Sequence, residues 1–521
     1  MTQTIQTFSI TAPGFMGLNT QDSSLDLQQG WALVANNCVI DQYGRIGSRK
    51  GWAPQHAYNA ALDGGNIEMI SEHVTDSGNT YIICAGNNKL FKLVGGVLTE
   101  LTYGGGGTAP TITASNWSTA SLSSDLYMFQ RGHDPLEFSA DWSTTQYRRI
   151  SEQPGYSGTV QQGNVCISAF GRVWNADTTT DKSIIQWSDI KAAQKYTGGS
   201  AGTLDVTQVW PNGNDTIVGL AAHNNFLFIF GTNSILVYQN ANSVITDITS
   251  SLGSMSLSDT ITGIGCIARD TIQNTGTDII FLSSTGLRSA LRTVQEKSAP
   301  LRDLSKNIRT DLMSAVRGEN LAAIKSVYNP FESFYLLTLP SLKQVYCFDL
   351  KQMLPDGASR ITTWDSIVPT SFCYLRNRTM LIGKNAYVGL YTGYLDNGIS
   401  YRLQYFTNHA DLGTPSVTSV LKKFSVVVIG GSNQYVTMKW GYDFSGNYRA
   451  QNIKIPSQGV AYFGISEYNT TNYSPGTSLQ TLVAYPTGSG KIIQTGYESD
   501  IAGTPLSIQK IEIQAKNGKI V

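Results

Sequence analysis

The sequence predicts an all-β protein: a β-propeller of about six blades, in a range of five to seven, plus a smaller β-sandwich or platform domain built from the two termini. Three observations carry this. Strand–turn–strand units recur through the middle of the chain and start roughly 40–60 residues apart, near the length of a four-stranded blade. The 51 glycines among 521 residues fall mostly in short clusters between apolar runs, where tight turns need positive φ. The two ends of the chain lack this repeat, and the C-terminal end carries longer strands.

The first hairpin joins Tyr81-Ile82-Ile83-Cys84-Ala85 to Leu90-Phe91-Lys92-Leu93 through the turn 86–89. A second pairs 126–129 with 136–138, and a third pairs 165–168 with 173–174. The clearest runs from Phe226-Leu227-Phe228-Ile229-Phe230 through 231–234 to Ile235-Leu236-Val237-Tyr238. Further copies cover 279–290, 335–348 and 380–389. A single blade cannot bury both of its faces; blades stacked into a closed ring bury them and leave only short, protected edges. A large β-sandwich, or tandem sandwiches, is the competing reading, because these also show regular hairpins. The spacing and the doubly apolar strands favour the ring. Residues 61–399 are assigned to the propeller, 1–60 to an N-terminal segment of the platform, and 400–521 to a C-terminal β domain that completes it. In that last part, 421–429 and 435–440 are longer strands about the turn 430–433, joined by 510–515.

One segment departs from the β pattern. Between 298 and 316, Leu301, Leu304, Ile308 and Leu312 follow the spacing of an amphipathic helix. Ser298 before Pro300 suits its start and Gly318 its end. Arg302, Lys306, Arg309 and Arg317, with Arg288, Arg292 and Lys297 upstream, make this the densest basic stretch of the chain. Its ordinary meaning is a solvated helix face; the alternative is a contact to phosphate or an acidic partner.

Composition narrows the function. Lys plus Arg equals Asp plus Glu at 37 each, so no global basic field gathers nucleic acid. That balance disfavours a DNA binder more than a DNA conduit, where strong attraction would stall the passenger. The six cysteines (Cys38, Cys84, Cys166, Cys266, Cys347, Cys373) are scattered and sit mostly in apolar runs, as buried free thiols do. The N-terminus has no basic region followed by an apolar one, and no stretch approaches the roughly 18 apolar residues of a spanning helix. A soluble protein made in a reducing cytoplasm is expected.

Motifs for catalysis are weak. The five histidines lie outside metal-ligand spacing of one another. Thr487-Gly488-Ser489-Gly490-Lys491 resembles the end of a phosphate loop, but Tyr485 replaces the leading glycine and Ile492 the hydroxyl after lysine. Gly198-Gly199-Ser200-Ala201-Gly202 has the G-x-S-x-G spacing without the strand before and helix after that a nucleophile elbow needs. Asp396-Asn397-Gly398 reads as a type I′ hairpin turn. No enzyme activity, metal or cofactor is expected.

The stretch from Asn36 to Trp52 is more informative. It resembles the entry segment of tail nozzle (tail tubular) proteins of short-tailed bacteriophages, in which an asparagine-bearing strand leads to a glycine turn, then to an arginine and a glycine opening the first blade. Asn37, Gly44, Arg49 and Gly51 stand at those positions, with Arg45 beside the turn. Gly17-Leu18-Asn19-Thr20-Gln21-Asp22, Ile184-Ile185-Gln186-Trp187-Ser188-Asp189, and Asp215-Thr216-Ile217-Val218-Gly219-Leu220 before the 226–238 hairpin are similar to further family segments. The likeness covers roughly 15–400 as an order of motifs. It implies a homohexameric ring in the virion tail, assembled in the host cytoplasm. That ring would extend the channel for double-stranded DNA below a head-to-tail adaptor and carry fibres or spikes. It also implies a platform made by the termini. On this reading the basic stretch, with Arg288, Arg292, Arg302 and Arg309, faces another subunit or protein rather than the bore.

Two other classes compete. A receptor- or glycan-binding propeller, with or without glycan cleavage, needs a pocket of convergent carboxylates and aromatics, for which Trp174 and Trp187 are candidates alongside plain core packing. A monomeric scaffold propeller that recruits peptides is the third.

Overall fold

The computed structural model describes residues 5–241, 255–290, 302–411, 417–456 and 479–520. Among them, seven small antiparallel sheets follow one another along the chain: 69–100, 102–149, 165–205, 217–262, 273–303, 325–364 and 371–391. The second also carries a short parallel pairing at its outer edge. Apart from Thr102–Tyr103 at that edge and the outermost strand of the last sheet, each begins with an inner strand and adds later strands outward. Adjacent inner strands touch: Thr119 Oγ1 donates to Ser71 Oγ, the Cys166 amide donates to Ser118 Oγ, and Gln273 Nε2 donates to the Ser326 carbonyl. This is a β-propeller, and every sequence-predicted hairpin lies inside one of these seven strand groups, which are called blades below.

The doubly apolar strands are explained by this packing. In Phe226–Gly231, Leu227 and Ile229 pack with Trp174 and Trp187 of the third blade. Phe228 and Phe230 face the other way and pack with Phe281 of the fifth. Each buried side chain contributes about 1.5–3 kcal/mol, so a strand apolar on both faces is stabilised only where a blade lies on each side. The polar turns follow the expected chemistry: Asn87 and Asn88, and Asn224 and Asn225, all have positive φ, as two-residue hairpin turns demand.

Trp52–Pro54 supplies the outer strand of the seventh blade, with Trp52 opposite Tyr391 and Pro54 opposite Gly389. This corrects its assignment to the terminal segment 1–60. A ring closes through a strand from the other end of the chain because Tyr387–Tyr391 would otherwise be an unpaired edge.

The remaining terminal residues form two packed sheets. One holds Val417–Gly430, Leu506–Ile520 and Leu479–Ala484 together with Ile5–Thr11, Cys38–Ile40 and Ile46–Ser48. The other holds Trp31–Asn36, Tyr401–Thr407, Ile493–Ile501, Tyr435–Tyr442 and Arg449–Lys454, and it continues through Asn36 into Thr363 of the sixth blade. Val426 and Val428 of the first sheet share a core with Val436, Met438, Trp440 and Tyr497 of the second, and with Tyr335 and Phe348 of the sixth blade. The sandwich and the ring are therefore joined by a continuous apolar interior.

The helix is shorter than its sequence spacing suggests. A 3₁₀ turn at Lys306–Ile308 leads into the α-helix Arg309–Arg317, while Arg302–Asp303 is a strand of the fifth blade. Leu304, Ile308 and Leu312 are buried as predicted, but Leu304 belongs to the approach from that strand, whose pairing with Arg288 and Ser289 overrides the helical period. Gly318 ends the helix as expected, its amide donating to the Ala315 carbonyl. Ser298, Pro300 and Leu301 lie outside the described residues.

Candidate functional site: an arginine hub and a plugged propeller axis

The entry motif assembles into a buried hub where the terminal sandwich meets the ring. Asn37 sits between two strands at φ +52, a left-handed conformation that asparagine tolerates. Its amide nitrogen donates to Asp365 Oδ1 at 2.6 Å and to the Arg402 carbonyl at 2.8 Å. Its carbonyl oxygen accepts from Arg49 Nε at 3.3 Å. The Arg49 side chain is fully buried and forms a two-pronged pair with Asp396, 2.9 Å to Oδ1 and 2.7 Å to Oδ2. It also donates to the Lys50 carbonyl at 2.8 Å and to Ser366 Oγ, and lies 3.9 Å over the Tyr401 ring. All five guanidinium donors thus point into a prepared set of acceptors, which offsets the cost of burying the charge. Burial pushes the Lys384 ammonium down, with Arg49 adding to the effect and Asp396 opposing it.

Gly51 belongs to the same hub. A Cβ there would lie 1.9 Å from the Leu395 carbonyl oxygen, so only glycine lets the chain pass. Gly44 and Arg45 are not brought in. They form a separate turn in which Gly44 has φ +72 against Pro13, and Arg45 pairs with Asp41 at 2.6 Å. In the sequence Asp396 shows only as a turn residue. The turn exists, with Asn397 at φ +49 and Gly398 at φ +81, and it aims the carboxylate inward.

The propeller axis is the second polar centre. A cavity of about 260 Å³ is lined by residues from all seven blades. Arg269, in the link before the fifth blade, crosses it. Its guanidinium donates to the Trp117 carbonyl of the second blade at 2.6 Å and to Asn164 Oδ1, beside the third, at 2.9 Å. It also pairs with Asp270 at 2.6 Å, and Asp270 pairs in turn with Lys325 of the sixth blade. Burial pushes the Asp270 carboxyl up, but the two cations outweigh it and hold it at about 2. Asp270 therefore stays ionised near neutrality and serves as a counter-ion, not a proton donor. Cys166 lines the same cavity, and burial raises its thiol to about 12, so it is no thiolate nucleophile. Glu68 is also raised by burial. Neither spacing nor motif singles out Arg269, Asp270 and Lys325 in the sequence; the one signal is an adjacent Arg-Asp pair in an otherwise uncharged link.

Other candidates have local roles. Ser200 of the G-x-S-x-G string donates to Asp189 Oδ1 at 2.8 Å, and that carboxylate also accepts the Ile190 and Ser200 amides, pinning a loop. Trp174 and Trp187 are buried against each other with ring centroids 4.9 Å apart, in the core. In the basic stretch, Arg288 and Arg309 converge on Asp303, and Lys306 pairs with Asp356 at 3.1 Å. Arg302 is exposed, and Arg292 and Lys297 lie outside the described residues. Among the described residues no group of three His, Cys, Asp or Glu side chains has metal-binding geometry, and no helix is long and apolar enough to cross a membrane.

No protein-family model matches the sequence, and no curated protein does. Similar solved structures include the WD40 domain of Toxoplasma gondii coronin, at 7% identity and TM-score 0.40, covering 69% of this chain and 86% of that one. The Neurospora crassa Pan2 WD40 domain is similar at 8% identity and TM-score 0.38, covering 67% of this chain and 97% of that one. YCF48 bound to a D1 peptide matches at 9% identity and TM-score 0.37, over 66% of this chain and 98% of that one.

Proposed function

We propose that this chain is a non-catalytic building block, one subunit of a homohexameric tail nozzle that extends a DNA channel below an adaptor ring. The observation that carries the reading is the arginine hub. It ties strands from residues 31–54, the link after the sixth blade and the strand Tyr401–Thr407 into one buried network, so that sandwich and propeller move as a unit. A rigid two-part block suits a wall that must hold its shape under load. Arg269 across the propeller axis supports the same reading, because DNA must then run along the axis of the assembled ring and not through a single subunit. The near-neutral charge of the chain suits a wall past which DNA slides.

The test is reconstitution. The purified chain, mixed with a tail-adaptor complex, is expected to form a six-membered ring visible by electron microscopy and by mass measurement in solution. A chain that stays monomeric in the presence of adaptor, at every concentration tried, overturns the proposal.

A further inference from the structure

Successive strands of a blade alternate in direction, so the turns between second and third strands and the links between blades come to one end of the ring. At that end a cleft of about 580 Å³ opens between the second and third blades. Its size lies within the roughly 300–1,000 Å³ of small-ligand clefts. One wall is the second-blade turn carrying Asp134, and the other is the third-blade turn with Thr179, Thr180 and Asp181. The link between the blades closes the base with Tyr156 and Gln162.

The polar groups are held in place before any ligand arrives. Asp134 accepts from Gln162 Nε2 at 2.9 Å and from Arg149 Nε at 2.8 Å. The opposite turn is fixed by Thr178, whose hydroxyl donates to the Asp181 carbonyl at 2.8 Å and accepts the Asp181 amide at 2.9 Å. Asp181 Oδ1 accepts the Ser183 amide at 2.8 Å. Tyr156 accepts the Val160 amide at 3.1 Å through its hydroxyl oxygen, which leaves its O–H as a donor. Thr179 and Thr180 are exposed.

We propose that this cleft binds a neutral saccharide. Carboxylates on both walls repel a phosphate or another polyanion. The nearest cations are all engaged with carboxylates: Arg149 with Asp134 at 2.8 Å and Glu152 at 3.3 Å, Lys182 with Asp177 at 2.9 Å, and Arg131 with Asp177. The lining mixes apolar surface from Pro135, Val160 and Ile184 with these fixed polar groups, and a wholly apolar ligand would leave the polar groups desolvated without partners. Sugar hydroxyls each donate and accept, so a saccharide offers donors to the wall carboxylates and acceptors to the tyrosine and threonine hydroxyls. The half-buried Tyr156 ring offers an apolar surface for the C–H face of a sugar. This site is separate from the arginine hub and does not depend on ring assembly.

The experiment is saturation-transfer NMR on the full chain with lactose, maltose, cellobiose and N,N′-diacetylchitobiose, and with inorganic phosphate as a competing anion. Transfer to at least one disaccharide is expected, with affinity weakened about tenfold by Asp181→Ala and by Tyr156→Ala, and no displacement by phosphate. Thr180→Ala, at an exposed position, is expected to weaken binding while leaving the melting temperature unchanged, so a misfolded Asp181→Ala protein would not stall the test. Absence of transfer to all four sugars, transfer that survives these substitutions, or displacement by phosphate each overturns the proposal.

Discussion

Replacing Asp396 with alanine removes the carboxylate that neutralises Arg49. The arginine side chain is fully buried and the aspartate side chain only 11% exposed, so water screens little of the lost attraction. Arg49 keeps its bonds to Asn37, Lys50 and Ser366 and its place over Tyr401, but these are neutral groups. Lys384, half-buried nearby, adds a second positive charge that the mutation also leaves unbalanced. Removing one partner of a buried ion pair costs about 3–5 kcal/mol, and this pair sits in that range because its cation is wholly buried. The double substitution Arg49→Met with Asp396→Leu removes both charges and fills similar volume, so it should return to within about 1–2 kcal/mol of the parent. Denaturant unfolding followed by tryptophan fluorescence gives the size of the effect. Hydrogen exchange gives its location: protection should fall first in Trp52–Pro54 and in Tyr387–Tyr391, which that strand completes. An Asp396→Ala protein within about 1 kcal/mol of the parent would put the pair in the class of surface salt bridges and refute the reasoning. Unchanged protection of Trp52–Pro54 would do the same for the claim that the hub holds the ring closed.

Two further outcomes follow from single residues. Gly51→Ala drives a methyl to within 1.9 Å of the Leu395 carbonyl and should lower the melting temperature while leaving the far blades protected in hydrogen exchange. His73 is fully buried at the end of the first inner strand, with Nε2 bonded to the Ser124 carbonyl, and burial lowers its pKa. The unfolded chain therefore binds a proton that the folded one resists. Stability should fall as pH drops below about 6.5 toward the depressed folded value, and His73→Gln should flatten that part of the profile in a melting-temperature series.

Much of this architecture is legible along the chain because it depends on local periods. A hairpin such as 226–238 announces itself through apolar runs broken by a turn, and the apolar residues on both faces already require a neighbour on each side. Asn37, Arg49 and Gly51 stand out as a motif, and glycine is a physical necessity where a Cβ would lie 1.9 Å from a carbonyl oxygen. What the sequence left open depends on long separations. Arg49 meets Asp396 across 347 positions, and Arg269 reaches the Trp117 carbonyl across 152, with no periodic signal to connect them. Trp52–Pro54 is too short to be assigned to either domain from its own residues, and only ring closure decides that it pairs with Tyr387–Tyr391. The helix shows the same limit: Leu304 keeps a helical spacing, but pairing of Arg302–Asp303 with the fifth blade takes the backbone out of the helix. Local composition determined the strands, their turns and which faces are buried. Tertiary structure decided how the ring closes and where the buried charges meet, because both rest on free energy gained only when distant segments are already in place.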